Sequence, residues 1–226
     1  MNKIITFFCK NGEKPNEIPE IKDIWWKVPA VTKVLSETVP QEKKDQLAKW
    51  REKVGEEEAD RIVNESIERG KAFDDAISRL KSEGASNIPY IDTYFKGKQI
   101  ENLQMGFVRI FDEIVLDGKK IPIGYKGFID FQLGECIVDT KTWSKHKVDF
   151  NGKTRPDWVN RDYYLQICAY AKALDKPKAM IIGSDSESMQ DFTVFDIRNY
   201  YNEFETRLMS YILQTKGNYY DRNKEN

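Results

Sequence analysis

The hydrophobic pattern of the chain changes its period near the middle, and this change limits the folds that the chain can adopt. From Glu56 to Lys81, apolar and small residues recur at steps of three and four, which predicts one long amphipathic helix. Its stripe consists of Ala59, Val63, Ser66, Gly70, Phe73, Ile77 and Leu80. The later segments MGFVRIFDEIVLDGKK, IPIGYKGFIDFQLG and CIVDTKTW instead predict three strands, with turns at DGKK and LGE.

Shorter elements surround these segments. A strand is predicted at the start, and Pro29 and Pro40 stand at the first turns of two predicted helices. After the strands come a helix in WVNRDYYLQICAYAKAL, strands in KAMIIGS and DFTVFDI, and a closing helix in NYYNEFETRLMSYILQT. This order predicts an α/β or α+β fold with a central mixed β-sheet flanked by helices. We expect one domain over residues 1–226, with an N-terminal arm and helices in 1–83 and the core in 84–226.

Composition restricts the class of protein. Hydrophobic residues make up 40% and charged residues 32% of the 226 residues, as in soluble globular proteins. The apolar run IITFFC is too short to span a bilayer and lacks a signal-peptide cleavage pattern. Three cysteines without CxxC spacing predict a reduced, intracellular (cytoplasmic) protein without an iron–sulfur cluster. The net charge of −1 neither indicates nor excludes a nucleic-acid partner, since a nuclease needs only a local basic groove.

Two acids and a lysine fall close together in GFIDFQLGECIVDTKTW. Because strand side chains alternate between faces, Asp139 and Lys141 share one face, and Thr140 lies on the other. A hairpin would bring Asp130, at the end of the preceding strand, beside Asp139. Adjacent carboxylates repel unless a proton or a cation lies between them, and Mg²⁺ or Mn²⁺ suits oxygen ligands. We therefore expect a metal held by Asp130, Asp139, the Thr140 carbonyl and waters.

Lys141 would stand beside a water on this metal and offset phosphate charge, which is equipment for phosphodiester hydrolysis. The alternative is a solvated surface ion pair, worth roughly 0–1 kcal/mol, since the D-x-K pattern alone is common. The apolar residues CIV run directly into Asp139, and GFI runs into Asp130. This placement favours the functional interpretation.

These residues resemble the PD-(D/E)XK nuclease superfamily, with Ile129 at the place of its proline. Gln166 and Tyr170, one helical turn apart in LQICAY, resemble the Q-x-x-x-Y motif of the RecB-like branch. The segment RGKAFDDAI resembles the helix R-G-x-x-x-H, in which the histidine often touches the metal, and Asp74 stands at that position. Either Asp74 supplies a further metal ligand or this helix supplies none.

From about Pro29 to Leu174 the motif order is similar to that of the mitochondrial genome maintenance exonuclease family and its phage and bacterial relatives. The resemblance implies a restriction-endonuclease-like core with an N-terminal helical extension, acting in the cytoplasm, and in the host cytoplasm if phage-encoded. It also implies a metal-dependent DNA exonuclease that acts on single-stranded ends or flaps, in which Gln166 and Tyr170 position the lysine or the phosphates. The catalytic set is then Asp130, Asp139, Lys141, Gln166 and Tyr170.

A basic segment follows the catalytic strand. Its cationic residues are Lys145, His146, Lys147, Lys153 and Arg155, with Arg161 at the start of the next helix. Trp143 and Trp158 flank them, and cations interleaved with aromatics suit a single-stranded nucleic acid. An ordinary solvated loop has the same composition, and both interpretations stay open.

Two other functions fit the same fold. A site-specific or structure-specific endonuclease would cut closed circular DNA. A non-catalytic nucleic-acid-binding module would bind DNA in the presence of a chelator and cleave nothing. The complete acid–acid–lysine set argues against the second, because carboxylates repel anionic DNA.

Overall fold

A computed structural model describes residues 2–9, 14–143, 160–185 and 187–218. Its helices are α1 (Val31–Glu37), α2 (Gln41–Val54), α3 (Glu56–Glu83), α4 (Pro89–Phe95), α5 (Arg161–Ala173) and α6 (Arg198–Thr215). Its strands are β1 (Lys3–Phe7), β2 (Ile100–Glu101), β3 (Gly106–Leu116), β4 (Lys119–Phe128), β5 (Phe131–Leu133), β6 (Cys136–Thr142), β7 (Lys178–Ser184) and β8 (Met189–Val194). The predicted order of helices and strands is confirmed with two differences: IPIGYKGFIDFQLG forms two strands, and the two-residue strand β2 was not predicted.

The strands form a mixed five-stranded sheet in the order β2-β5-β6-β7-β8 and an antiparallel three-stranded sheet in the order β1-β3-β4. In the mixed sheet β6 and β7 run parallel, and the other neighbouring pairs run antiparallel. The predicted α+β class with a mixed sheet flanked by helices is confirmed. The strands occupy two sheets because IPIGYKGFIDFQLG is not one strand. Ile129 and Asp130 separate β4 from β5 and carry the chain from one sheet to the other.

Helix α5 connects β6 to β7 and is the most enclosed helix of the fold. Eight of its residues are buried, and they face α1, α6 and both sheets: Tyr164, Leu165, Ile167, Cys168, Ala169, Tyr170, Ala171 and Ala173. A helix that is apolar on most of its circumference belongs inside a core. Asn160 caps its first turn by accepting a hydrogen bond from the Asp162 amide at 3.1 Å. The side chains of α5 are therefore held firmly against the sheet.

Helix α3 packs on the sheet only along its second half. Phe73, Ala76 and Ile77 join α4 and the β5–β6 hairpin in a second hydrophobic cluster. Earlier in the stripe Ala59 is buried, but Val63 is 43% exposed and Ser66 is also exposed. The predicted continuous apolar stripe is thus buried only in part. A helix of 28 residues is about 42 Å long, so it extends beyond the ends of the short strands that it covers.

Two sequence-level expectations concern membranes and thiols. Over the described residues, no helix combines the length and the apolar character that crossing a bilayer requires. Cys9, Cys136 and Cys168 form no disulfide with one another.

Candidate active site

The β5–β6 hairpin brings Asp130 against the strand that carries Asp139. Phe131 pairs with Val138, so the residue before Phe131 lies next to the residues after Val138. The Asp130 Oδ2 atom accepts hydrogen bonds from the backbone N–H and the Oγ1 hydroxyl of Thr140, both at 2.6 Å. The carboxylate is thereby fixed at the edge of β6, beside the predicted metal ligands.

Asp139 is the most buried acid of the site, with 4% of its side chain exposed. Its Oδ2 atom forms an ion pair with Lys141 Nζ, and the two atoms are 2.5 Å apart. Its Oδ1 atom accepts a hydrogen bond from Gln166 Nε2 at 3.1 Å. Burial raises the pKa of Asp139 to about 6, against the opposing effect of Lys141.

Lys141 is protonated at neutral pH. Burial lowers the pKa of its amine, but the adjacent Asp139 carboxylate outweighs burial, and the net pKa is raised. Its ammonium also lies 4.8 Å from the centroid of the Tyr163 ring, which is a favourable position for a cation. In the metal-free protein Lys141 is therefore a positive charge held beside Asp139.

Asp74 reaches the same site from α3. Asp74 is exposed to solvent, yet its partial desolvation by neighbouring groups and the Asp130 charge raise its pKa to about 6, while Lys141 opposes this shift. These acids line a cleft of about 360 Å³. Its floor is β6, and its walls are α3, with Ser66 and Gly70, and α5, with Tyr163 and Gln166.

Gln166 connects Tyr170 to Asp139 through two hydrogen bonds. Gln166 Nε2 lies 3.2 Å from the Tyr170 hydroxyl oxygen and donates to it as well as to Asp139. Tyr170 is 4% exposed, and burial raises its pKa. It does not line the cleft, so its contact with the site runs through Gln166. The structure thus joins the Q-x-x-x-Y pair to Asp139, with Lys141 held by Asp139 and Tyr163.

The packing of Tyr170 explains the glycine of the GFID stretch. A Cβ atom on Gly127 would stand 2.8 Å from Tyr170 Cε1 and 3.1 Å from Cζ, closer than side chains pack. Gly127 therefore lets the tyrosine ring pack closely against β4. The sequence contained this signal only as a glycine beside the acid, without an indication of its partner.

We expect Gly127→Ala to destabilise the protein by about 1–3 kcal/mol and to slow cleavage, because the ring must move and draws Gln166 away from Asp139. Urea unfolding and initial cleavage rates measure the two effects. Gly70→Ala is the comparison for stability: a Cβ there meets nothing within 4 Å and alanine favours the helix, so this variant should not be destabilised. A Gly127→Ala protein as stable and as active as the wild type would contradict this role.

Tyr163 and Gly70 also border the cleft, although neither is among the predicted site residues. Tyr163 stands three residues before Gln166 on the same helix face but is read equally well as a core aromatic. The structure places its ring in the cleft, beside Lys141. In the sequence Gly70 is a small member of the α3 stripe and the glycine of the R-G-x-x-x-H resemblance, and in the structure it borders the cleft.

The predicted nucleic-acid contacts are placed only in part. Six of the predicted residues lie outside the described part of the chain: Lys145, His146, Lys147, Lys153, Arg155 and Trp158. Arg161 begins α5, and its Nε donates to Glu203 Oε2 of α6 at 2.8 Å, so it ties the two helices together. Its contact with DNA stays a prediction. Trp143 is 9% exposed and offers no open ring face for stacking.

The donor set suits a hard cation that keeps part of its water shell. Among the described residues no three acidic, histidine or cysteine side chains form a preassembled metal cage. Two carboxylates and waters are nevertheless a usual ligand set for Mg²⁺, which gives up its water reluctantly. The buried Asp139 Oδ2, which contacts the Lys141 ammonium at 2.5 Å, is an anionic oxygen of the kind that such a cation binds. Asp130, Asp139 and the predicted Thr140 carbonyl therefore fit Mg²⁺ or Mn²⁺, with Asp74 nearby.

No protein-family model matches the chain, and no curated protein does. Among solved structures, the chain is similar to an alkaline exonuclease (LHK-Exo) from Laribacter hongkongensis, with a TM-score of 0.47, 10% identity and coverage of 87% of this chain and 92% of that one. LHK-Exo in complex with dAMP gives a TM-score of 0.46, 10% identity and coverage of 86% and 92%. SSO0001 gives a TM-score of 0.34, 16% identity and coverage of 66% and 70%. These similarities are too low to assign a function to this chain. A functional assignment therefore depends on the residues of the cleft.

Proposed function

We propose that this chain is a Mg²⁺- or Mn²⁺-dependent deoxyribonuclease that hydrolyses phosphodiester bonds in the cleft between α3, β6 and α5. One observation carries the proposal. The buried Asp139 carboxylate contacts the Lys141 ammonium at 2.5 Å, while Asp130 and Asp74 crowd the same cleft. A structural ion pair needs one acid for one base. The surplus of acids calls for a further cation, and the ammonium beside it suits a phosphate group.

Each residue of the cleft has a separate role in the proposed reaction. Asp130, Asp139 and the Thr140 carbonyl would hold the metal, and Asp74 would be a further ligand from the α3 wall. The bound metal would lower the pKa of a water and offset charge on the phosphate. Lys141 adds a second positive charge beside the scissile phosphate, where negative charge builds up in the transition state. Gln166 fixes the orientation of Asp139, and Tyr170 fixes Gln166.

The mode of cleavage that we propose is exonucleolytic, on single-stranded ends or flaps of DNA. The order of the sequence motifs supports it. The test is a time course with Mn²⁺ on blunt, tailed and closed circular DNA, each linear substrate labelled at one end or the other. We expect short products from the labelled ends and an intact circle. Discrete cuts in the circle would replace the exonuclease with an endonuclease of the same fold.

Metal binding should depend on pH with a definite sign. The raised pKa of Asp139, about 6, means that the native metal-free protein binds a proton more tightly than the unfolded chain does. The stability contributed by that proton is present at low pH and is lost as the pH rises through about 6. Because metal and proton compete for the carboxylate, we expect Mn²⁺ to raise the unfolding temperature more at about pH 7.5 than at about pH 5.

Thermal unfolding with and without Mn²⁺ at the two pH values measures this difference. Asp139→Asn is the control, because it should remove both the metal response and its pH dependence. An equal shift at the two pH values in the wild type would contradict the assignment of Asp139 as a ligand.

A further inference from the structure

In the middle of α3, Gly70 leaves an open space beside the helix, and neither the backbone conformation nor the packing requires a glycine there. Gly70 lies inside a 28-residue helix, where glycine is less favourable than every residue except proline. Its φ is not positive, so an L-residue fits the backbone there. A Cβ atom at this position would meet nothing within 4 Å. The protein alone therefore has no use for a glycine at position 70.

This opening belongs to the cleft. Gly70 and Ser66 lie one turn apart and form the α3 wall, opposite Tyr163 and Gln166 of α5. Asp74 follows one turn later, about 6 Å further along the helix axis. The cleft volume of about 360 Å³ is at the lower end of ligand pockets, which begin at about 300 Å³. A larger side chain at position 70 would fill space that a bound substrate needs beside the acids.

The same helix face continues outward with exposed apolar side chains. Val63 is 43% exposed and Ile67 is 49% exposed, seven and three residues before Gly70. The helix rise separates Val63 from Gly70 by about 10 Å. A small phosphodiester in the cleft would not reach these residues. A polymer leaving the cleft along α3 would, and its bases or sugars could cover them.

We propose that Gly70, with Ser66, is a specificity-determining position that admits the sugar–phosphate chain of a single DNA strand along α3. The inference rests on the proposed nuclease function and goes beyond it, since it assigns the path of the strand. Side-chain size at position 70 then controls cleavage of a polynucleotide more strongly than cleavage of a small diester at the same acids.

The test compares two substrates in the presence of Mn²⁺: an end-labelled single-stranded oligodeoxynucleotide and bis(p-nitrophenyl) phosphate. For Gly70→Leu we expect the ratio of the oligonucleotide rate to the diester rate to fall by roughly 100-fold, the scale of a misplacement of about 1 Å. Lys71→Leu is the matched control, because the Lys71 side chain is 65% exposed on the outer face of α3. Its ratio should equal that of the wild type.

Gly70→Ala covers the case in which the leucine variant does not fold. We expect it to unfold about 2–4 °C higher than the wild type, because alanine favours the helix, while its substrate ratio falls by less than that of Gly70→Leu. A ratio equal to that of the wild type in the folded Gly70 variants overturns the inference, whether both rates fall or neither does. A wild type that cleaves neither substrate overturns the proposed function and this inference with it.

Discussion

Asp139→Asn is expected to lower Mn²⁺-dependent DNA cleavage by about 10³-fold and to leave the fold intact. The carboxylate is 4% exposed and offers the buried Oδ2 to a cation, and an amide at the same place is a poor ligand for a hard cation. The loss should therefore appear first in metal binding. Calorimetric titration with Mn²⁺ should give a clear binding signal for the wild type and none for the variant.

The variant should fold because asparagine keeps the size of the side chain and the acceptor for Gln166 Nε2. Burial raises the pKa of Asp139 to about 6, so the charged form opposes folding at higher pH. Removal of that charge should leave the metal-free variant no less stable than the wild type at about pH 8. Asp75→Asn, the same change at an exposed position of α3, should leave cleavage and metal binding at wild-type levels. Wild-type cleavage by Asp139→Asn would remove the residue from the site.

Lys141→Met is expected to slow cleavage by about 10²–10³-fold while Mn²⁺ binds at least as tightly as in the wild type. Methionine replaces the apolar stem of the lysine, which is 22% exposed, and removes the ammonium 2.5 Å from Asp139 Oδ2. The ammonium and the metal are both positive and share the same carboxylates, so loss of the first should not weaken the second. Catalysis falls because the charge beside the phosphate is gone.

The metal-free Lys141→Met protein should be less stable by about 3–5 kcal/mol, since a buried carboxylate loses its partner, and Mn²⁺ should restore part of the loss. Lys178→Met is the matched control, because Lys178 begins β7 and lies 3.5 Å from the exposed Glu135. It should change neither cleavage nor the Mn²⁺ response. Loss of Mn²⁺ binding in Lys141→Met together with loss of cleavage would show that Lys141 only maintains the site.

The two variants separate binding from chemistry. Asp139→Asn is expected to lose the metal, whereas Lys141→Met is expected to keep the metal and to cleave DNA more slowly. A purely structural ion pair predicts a similar loss of stability in both and no specific effect on Mn²⁺.

Strand alternation was sufficient to place Asp139 beside Lys141, because a period of two residues fixes which side chains share a face. The same local rule predicted α3, whose helical pattern is long and regular. Neither result required knowledge of distant residues.

Features that depend on tertiary packing were not accessible in the same way. The break at Ile129 and Asp130 lies within an apolar run whose period is unaltered, so one strand was predicted where the structure has two. The exposure of Val63 reflects how far α3 extends beyond the sheet, a property of length and docking. Gln166 and Tyr170 were predicted to share a helix face, but the contact of Gln166 with Asp139 depends on how α5 lies across the sheet.

The most direct test of the nuclease assignment is the rate at which nucleotides leave an end-labelled single-stranded oligodeoxynucleotide, measured for the wild type and Asp139→Asn with Mn²⁺ and with excess chelator. We expect release by the wild type with Mn²⁺, none with chelator, and a rate about 10³-fold lower for the variant. Equal rates for the two proteins, or no release by the wild type with Mn²⁺ or Mg²⁺, would contradict the assignment.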